Sequence, residues 1–276
     1  MVVFTNVKKE NLKKIEKYLK NYLEEAPKTV YEEASLKKGK VTLILYNSGK
    51  LLLQGTPKDT EKLADELQKL KIGRREKPEE FVPESGWIIG SDECLKGDTF
   101  GGIVVAAVKA DNKIRKQLIE MGVADSKKLS DHEVVRLAEQ IKRIAPCEIK
   151  TISPEEYNQH PGKMTLLLNH LHHQCGTFLK PGKHIIDKYP GCTVGEVQEE
   201  QAESKYVEVA AASILARDAA LKQLNALSAL AGFHLPKGST HVQIGLMELR
   251  QRKLNFSKFV KMDFWNVKNF LKEENS

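Results

Sequence analysis

One stretch of the sequence divides the chain into two regions of different character. Residues 71–85 read KIGRREKPEEFVPES, with two prolines, many charges and no apolar periodicity. A segment of this kind is typical of a linker. The 276 residues are therefore predicted to form a small domain over residues 1–70, a linker over 71–85 and a larger domain over 86–276.

The first region has the pattern of a small α+β domain. Apolar residues recur every three or four positions over 9–25, which predicts a helix that ends at Pro27. The run VTLILY and the run LLLQG are separated by Asn-Ser-Gly-Lys, which predicts a hairpin. The expected elements are a first strand at 2–7, the helix, a three-strand meander at 29–34, 40–46 and 51–55, and a second helix at 60–70.

The positive charge of the chain lies in this first region. The formal net charge is +7, and the first 75 residues contain 17 Lys and Arg against 10 Asp and Glu, whereas the rest of the chain is balanced. Lys9, Lys13, Lys17 and Lys20 share one face of the predicted helix. A basic module attached to a neutral body indicates contact with a polyanion such as nucleic acid. The alternative interpretation is that the lysines only solvate the surface.

The second region alternates strand-like and helix-like runs in the order β-β-α-β-α-β-α, which predicts an α/β fold with a mixed sheet flanked by helices. Asp92 and Asp187 each close a short apolar strand, and Glu203 is expected just before another strand. Carboxylates gathered at one end of a sheet repel one another unless cations lie between them. Their oxygen ligands suit Mg²⁺ or Mn²⁺, and two such ions can hydrolyse a phosphodiester. Surface groups or helix caps are the alternative for each acid taken alone.

Four sequence blocks in this region resemble the type 2 ribonucleases H. They are GSDE with a following Gly-Asp-x-Phe-Gly, then VADSKKLSD, IIDKYPG and QAESKYVEVAAASILARD, which together cover about residues 86–240. The resemblance is closest to bacterial ribonuclease HIII, because the chain has an extra N-terminal module and because the fourth acid is a glutamate.

This resemblance implies a ribonuclease-H-like catalytic domain preceded by a domain similar to the TATA-box-binding protein. It implies endonucleolytic hydrolysis of the RNA strand of RNA/DNA hybrids, with 5′-phosphate and 3′-hydroxyl products and two Mg²⁺ or Mn²⁺ ions per site. The implied catalytic and metal-binding acids are Asp92, Glu93, Asp187 and Glu203. The implied substrate-binding residues are Leu95, Lys96, Gly97, Ser126 and Lys127, with Lys237 as either a phosphate contact or part of a surface turn.

The loop after the first two acids departs from the family pattern. The family has Gly-Arg-Gly where this chain has Leu95-Lys96-Gly97. In the family this loop brings backbone amides close to ribose 2′-hydroxyls. We expect Leu95 to make the turn with a negative φ and its side chain to crowd the ribose. Weak cleavage at a single ribonucleotide embedded in DNA is the corresponding prediction.

Other residues have patterns that also occur in metal sites or catalytic sites, but structural roles are favoured for them. His170, His172, His173 and Cys175 have helical metal spacing, but a structural helix with some imidazoles near the cleft is the favoured interpretation. His184, Ser213, Arg217 and Asp218 are assigned structural roles, as is the aromatic C-terminal segment, which is interpreted as an amphipathic closing helix.

The remaining expectations concern the cellular setting and the competing functions. The four cysteines are scattered, which indicates a reducing cytoplasm. No apolar run has the length of a membrane span, so no membrane contact is expected. A monomer is the expected oligomeric state. The alternatives are a resolvase or transposase of the same fold, and a catalytically silent hybrid-binding protein. The two alternatives differ from the leading prediction in substrate and in activity.

Overall fold

The computed structural model describes residues 2–27, 32–75, 81–124, 126–238 and 241–272. It divides into two compact units, Met1–Pro78 and Glu79–Ser276. Within the described residues, no helix has the length and apolar character needed to cross a membrane.

The first unit is a small α+β domain. Its elements are β1 (Val2–Thr5), α1 (Lys9–Leu19), β2 (Leu23–Glu25), β3 (Glu32–Lys38), β4 (Val41–Tyr46), β5 (Leu51–Gln54), α2 (Pro57–Lys69) and β6 (Arg74–Arg75). The described strands form one sheet in the order β2-β3-β4-β5-β1-β6, with every described pair antiparallel. The apolar faces of both helices join a core that contains Phe4, Ile15, Leu43, Leu53 and Leu67. The predicted meander is confirmed for β3, β4 and β5, although residues 28–31 lie outside the described part.

Two predictions for this unit are wrong. The first helix ends at Leu19 and not near Pro27, since Lys20 and Asn21 have φ angles of 39° and 33°, outside the region of a right-handed helix. Leu23, predicted to be helical, lies instead in strand β2.

The predicted linker over 71–85 is also too long. Ile72 is fully buried and β6 pairs with β1, so residues 71–75 belong to the first unit. At the other end, Phe81 packs on the core of the second unit and the Val82 amide donates to the Lys205 carbonyl at 2.7 Å. Residues 76–80 lie outside the described part.

The second unit is a mixed α/β domain, as predicted. Its elements are β7 (Ile88–Cys94), β8 (Ile103–Ala110), α3 (Asn112–Glu120), α4 (Asp131–Ile144), β9 (Cys147–Ile152), α5 (Pro154–Asn158), α6 (Met164–Leu179), β10 (Lys183–Asp187), β11 (Val197–Glu199), α7 (Val207–Ala231), α8 (Val242–Gln251) and α9 (Trp265–Lys272). The described strands run in the order β11-β10-β7-β8-β9. Strand β10 pairs in parallel with β7 and β11, and the β7–β8 and β8–β9 pairs are antiparallel.

Side chains that alternate along the central strands cover both faces of this sheet. Val104, Ala106 and Val108 of β8 join the core formed with α3, α4 and α7. Ile103 and Val105 face the other way and pack with α6. The predicted arrangement, with helices on both faces, is therefore confirmed.

The segment after Glu203 folds differently from the prediction. It was expected to begin as a strand, but α7 starts at Val207 and is helical throughout. Gly90 of β7 explains how this helix comes so close to the sheet, since a Cβ at Gly90 would lie 2.3 Å from the backbone nitrogen of Val209. Small alanines continue the close packing along the helix.

Candidate active site

The four predicted acids meet at one end of the mixed sheet. Asp92 and Glu93 lie near the end of β7, and Asp187 ends β10, the parallel neighbour of β7. Because parallel strands end at the same edge, three carboxylates from two distant blocks come together. Glu203 lies in the 3-10 turn Ala202–Ser204, directly before α7 and not before a strand. The Ala202 amide of that turn donates to Asp187 Oδ1 at 2.9 Å.

Burial and mutual repulsion act on the two aspartates. Asp92 is buried, and burial together with the charges of Glu93 and Asp187 holds its pKa well above its usual range. Burial also raises the pKa of Asp187 to about 6, and the charge of Glu203 adds to this effect. Burial and the neighbouring carboxylates thus disfavour ionisation of both aspartates.

Lysines and a histidine act on the two glutamates. Glu93 Oε1 accepts from Lys96 Nζ at 2.5 Å, and Glu93 Oε2 lies 3.2 Å from His172 Nε2. Burial alone would raise the pKa of Glu93, but these two partners lower it. Burial opposes ionisation of Glu203 in the same way, and Lys127 Nζ, 2.8 Å from its Oε1, outweighs that effect and lowers the pKa of Glu203.

The donor set fits hard divalent cations. Among the residues that the structure describes, no three His, Cys, Asp or Glu side chains are already arranged around a single metal position. The four acids nevertheless offer only oxygen ligands, which are the ligands that Mg²⁺ and Mn²⁺ prefer. Glu203 Oε2 is buried with no hydrogen-bond donor, and burial together with the charges of neighbouring acids raises the pKa values of Asp92 and Asp187, which a bound cation would counteract.

A buried polar chain behind Glu93 escaped the sequence reasoning. Ser91 Oγ lies 2.8 Å from His172 Nδ1 and 2.7 Å from His184 Nε2. His172 is fully buried and contacts Glu93 with its other nitrogen, so the chain links the acid to β10. Gly176, one turn after His172, leaves room for the His184 ring. Burial lowers the pKa of His184 to about 4, which agrees with the structural role predicted for it.

The other imidazoles of α6 take no part in this chain. His170 and His173 are exposed, whereas Cys175 is buried in the core. One imidazole of this helix therefore lies at the site, which fits the favoured interpretation of a structural helix with some imidazoles near the cleft.

The cleft beside the acids has a volume of about 540 Å³. Five of the six residues predicted to bind substrate line it: Leu95, Lys96, Gly97, Ser126 and Lys127. Ser213 and Arg217 of α7, which were assigned purely structural roles, line it as well. Ser213 Oγ is 2.8 Å from Ser126 Oγ, and its hydrogen bond to Asp92 works against the rise in that carboxyl's pKa. Periodicity places Ser213 on a helix but does not reveal which residue it meets.

Lys237 lies elsewhere. Among the described residues, the lining of this cleft does not include it, and its ammonium is bonded to Asp131. Arg217 Nη2 binds the other oxygen of Asp131 at 2.8 Å. Both interpretations of Lys237, a phosphate contact and part of a surface turn, stay predictions. Asp125 and residues 239–240 of the neighbouring blocks lie outside the described part.

The conformation expected for Leu95 is wrong. Its φ is 67°, in the left-handed region, which costs a residue other than glycine about 1–2 kcal/mol. Its side chain is only 5% exposed and belongs to the main core, so it does not crowd the cleft. Gly101, with a φ of 80°, makes room for it. The prediction of weak cleavage at a single ribonucleotide thus loses its steric basis.

We expect Leu95→Gly to destabilise the protein without improving cleavage at a single ribonucleotide. Removing a buried leucine side chain costs about 2–5 kcal/mol, and relief of the left-handed strain returns only about 1–2 kcal/mol. Chemical denaturation measures the stability, and a duplex with one ribonucleotide measures the activity. Gly97→Ala is the control for stability alone, because it changes the same loop without emptying the core and a Cβ there meets open space.

The comparisons with known proteins agree with this geometry. A family model described as Ribonuclease HII matches residues 89–267, and one described as a domain of unknown function matches residues 2–80. Ribonuclease HIII of Bacillus cereus is 33% identical over 264 residues, which covers 82% of this chain and 84% of the relative. The chain belongs to the ribonuclease HIII family.

Other members of the ribonuclease HIII family support the assignment. The Streptococcus pyogenes protein is 34% identical over 254 residues, covering 82% of this chain and 83% of the relative. The crystal structure of Bst-RNase HIII in complex with Mn²⁺ aligns with a TM-score of 0.62 at 26% identity and covers 99% of this chain and 98% of that one. Aquifex aeolicus RNase H3 aligns with a TM-score of 0.55 at 28% identity, covering 97% and 99%. The resemblance of the four sequence blocks to ribonuclease HIII is confirmed.

Proposed function

We propose that this ribonuclease H hydrolyses the RNA strand of RNA/DNA hybrids endonucleolytically and leaves 5′-phosphate and 3′-hydroxyl ends. The observation that carries the proposal is the meeting of Asp92, Glu93, Asp187 and Glu203 at the shared edge of β7 and β10 in a member of the ribonuclease HIII family. The cleft beside these acids has room for a sugar–phosphate backbone.

The four acids are the proposed metal ligands, for two Mg²⁺ or Mn²⁺ ions. Held by these acids, two divalent ions would supply activation of the attacking water and stabilisation of the leaving oxygen. The charge balance supports this role, because burial and, after it, repulsion between the acids raise the pKa values of Asp92 and Asp187, and added positive charge would offset both effects. His172 orients Glu93 from behind through its hydrogen bond.

Two lysines are proposed to bind the phosphates next to the scissile bond. The side chain of Lys127 is 76% exposed, and that of Lys96 is 39% exposed, although each ammonium contacts a glutamate of the cluster. Both ammonium groups therefore remain accessible from the cleft. Cations bound by the glutamates would compete with the lysines for those carboxylates, and each ammonium could then contact a substrate phosphate.

Recognition of RNA is assigned to the loop that contains Leu95, Lys96 and Gly97. All three residues line the cleft, and Leu95 is buried with its side chain in the main core, so the loop is placed to offer its peptide groups to a substrate. Backbone groups that approach a ribose can distinguish a 2′-hydroxyl from a hydrogen atom.

The first unit is proposed to hold the hybrid. Lys13, Lys17 and Lys20 are exposed at α1, on the side opposite the buried Ile15 and Leu19. Lysines of this kind bind phosphates without regard to sequence.

The setting proposed for this activity is a monomer in the cytoplasm. All four acids come from one chain, so a partner subunit is not needed to complete the cluster. The four cysteines are free thiols, which suits a reducing compartment.

A cleavage assay with three substrates tests the proposed function. Labelled RNA/DNA hybrid, duplex DNA and a four-way DNA junction are each incubated with the protein and Mg²⁺ or Mn²⁺. Cleavage of only the RNA strand supports the proposal. Cutting of the junction or of duplex DNA would indicate the resolvase or transposase alternative, and binding without cutting would indicate the silent one.

The metal proposal makes a prediction about stability. Because Asp187 has a pKa of about 6 when folded and an ordinary value of 3.8, the folded state binds the extra proton. Its contribution to the free energy of unfolding therefore falls as the pH rises from about 4 through about 6. We expect Mg²⁺ to raise the Tm more at about pH 8 than at about pH 5, and Asp187→Asn to raise the Tm of the metal-free protein at about pH 8. A Tm that Mg²⁺ leaves unchanged in wild type would contradict the metal assignment.

A further inference from the structure

Lys261 is a fully buried lysine, and the three carbonyl oxygens that accept from its ammonium belong to one loop. It precedes α9 and is 0% exposed. Its Nζ donates to the carbonyl oxygens of Leu95 at 2.9 Å, Asp98 at 2.5 Å and Gly101 at 3.0 Å. Each of the three ammonium hydrogens thus has an acceptor, which a buried charge requires. All three acceptors lie in the connection between β7 and β8, which also contains Lys96 and Gly97.

The surroundings of Lys261 keep its ammonium in place. The rings of Tyr157 and Phe264 lie 5.8 Å and 5.1 Å from Nζ, a distance at which their faces attract a cation. Burial lowers the pKa of Lys261 to about 8, while the charges of Asp98, Asp263 and the Cys94 thiol counteract this effect.

The loop needs such a partner because of its own geometry. Leu95 has a left-handed φ, and the turn points three carbonyl oxygens at a common position. Carbonyl oxygens buried without donors are costly, and their dipoles repel one another. Two backbone hydrogen bonds align the lysine with the loop, from the Lys261 amide to the Thr99 carbonyl at 3.1 Å and from the Gly101 amide to the Phe259 carbonyl at 2.9 Å.

We propose that Lys261 is a positioning residue for substrate recognition: its ammonium gathers the carbonyls of Leu95, Asp98 and Gly101 and thereby fixes the loop that faces the ribose and phosphate of the substrate. This role rests on the proposed function, since it assumes that the Leu95–Lys96–Gly97 backbone contacts the hybrid. Lys261 itself does not line the cleft as far as the described residues show. It therefore acts on binding through the loop and not on the reacting atoms.

The kinetic test compares Lys261→Met with Lys258→Met, which removes an exposed lysine three residues away. We expect the KM for RNA/DNA hybrid to rise about tenfold or more in Lys261→Met, because charge-assisted hydrogen bonds that hold the binding loop are lost. The kcat of the folded variant should stay within about threefold of wild type, because the acids are untouched. Lys258→Met should match wild type in both. A Lys261→Met protein that loses thermal stability but keeps the wild-type KM would overturn the proposal and leave only a structural role.

A second variant covers the case in which Lys261→Met does not fold. Lys261→Arg keeps the charge, but its planar guanidinium cannot donate to three carbonyls that converge on one point. The same rise in KM is expected, and an unchanged KM in folded Lys261→Arg would overturn the proposal.

Chemical rescue assigns the effect to the ammonium. Lys261→Ala lacks the atoms from Cγ to Nζ, and n-propylammonium supplies that set. We expect n-propylammonium to restore the KM of Lys261→Ala, and n-propanol at the same concentration to leave it unchanged. Restoration by both compounds, or by neither, would overturn the proposal.

Failure of this proposal is distinguishable from failure of the proposed function. A wild-type protein that does not cut hybrid overturns the proposed function by itself. The loop is then still measurable by hydrogen exchange of the Lys96 and Gly97 amides, which should be faster in Lys261→Met than in Lys258→Met. Equal exchange in the two variants would overturn the positioning role whatever the substrate is.

Discussion

Asp92→Asn is expected to abolish cleavage of RNA/DNA hybrid and to leave hybrid binding intact. The amide keeps the shape of the side chain but loses the charge needed to hold cations, and Asp92 is buried close to the charges of both Glu93 and Asp187. A loss of at least about a hundredfold in kcat corresponds to ~2.7 kcal/mol of barrier. Single-turnover cleavage measures the rate, and fluorescence anisotropy with a labelled hybrid measures the affinity.

Asp111→Asn is the matched control for this variant. Asp111 caps α3 by accepting from the Ile114 amide at 2.8 Å, and asparagine caps a helix equally well. The same chemical change outside the cluster should therefore leave cleavage unchanged. An Asp92→Asn protein that keeps more than about a tenth of the wild-type rate, a barrier change below ~1.4 kcal/mol, would remove Asp92 from the metal ligands.

Deleting the first unit is expected to weaken hybrid binding far more than it slows turnover at saturating substrate. The four acids remain in the second unit, which has its own core, whereas the net positive charge leaves with residues 1–78. Each phosphate contact that is lost should reduce the slope of log affinity against log salt concentration by about 0.9. Titrations of the full chain and of residues 79–276 at several salt concentrations give the two slopes.

A pair of charge variants of the full chain separates local contact from total charge. Lys13→Gln with Lys17→Gln neutralises two exposed lysines of α1, and Lys253→Gln with Lys258→Gln removes the same charge from exposed positions of the second unit. Only the first pair should make the salt dependence shallower. Equal slopes for the full chain and for residues 79–276 would mean that the first unit does not hold the hybrid backbone.

The elements that place the acids were readable from the sequence because their signals are local. The apolar run before Asp92 and the short run before Asp187 are strands in the structure. Helices α3, α4 and α6 follow their apolar spacing, and the basic face of α1 follows from its lysines. The pattern of apolar and polar residues within one strand or helix is enough to indicate which of its side chains are buried.

The features that escaped the sequence depend on contacts between distant segments. The helical start of α7 was mistaken for a strand because alanines and valines fit both, and the packing of Gly90 against Val209 is visible only in three dimensions. The hydrogen bond between Ser213 and Asp92 likewise joins α7 to β7. The left-handed conformation of Leu95 is accompanied by burial of its own side chain and by a hydrogen bond from Lys261 to its carbonyl. Lys261 lies 166 positions further along the chain.

The parallel pairing of β10 with β7 has a consequence for protein synthesis. Asp92 and Glu93 leave the ribosome well before β10, and a parallel strand pairs only after its whole crossover connection has been made. A nascent chain that terminates before β10 already contains the basic first unit, yet it lacks two of the four carboxylates. If the first unit holds the hybrid as proposed, such a fragment would bind hybrids without cutting them, and premature termination would yield a competitor of the full-length chain.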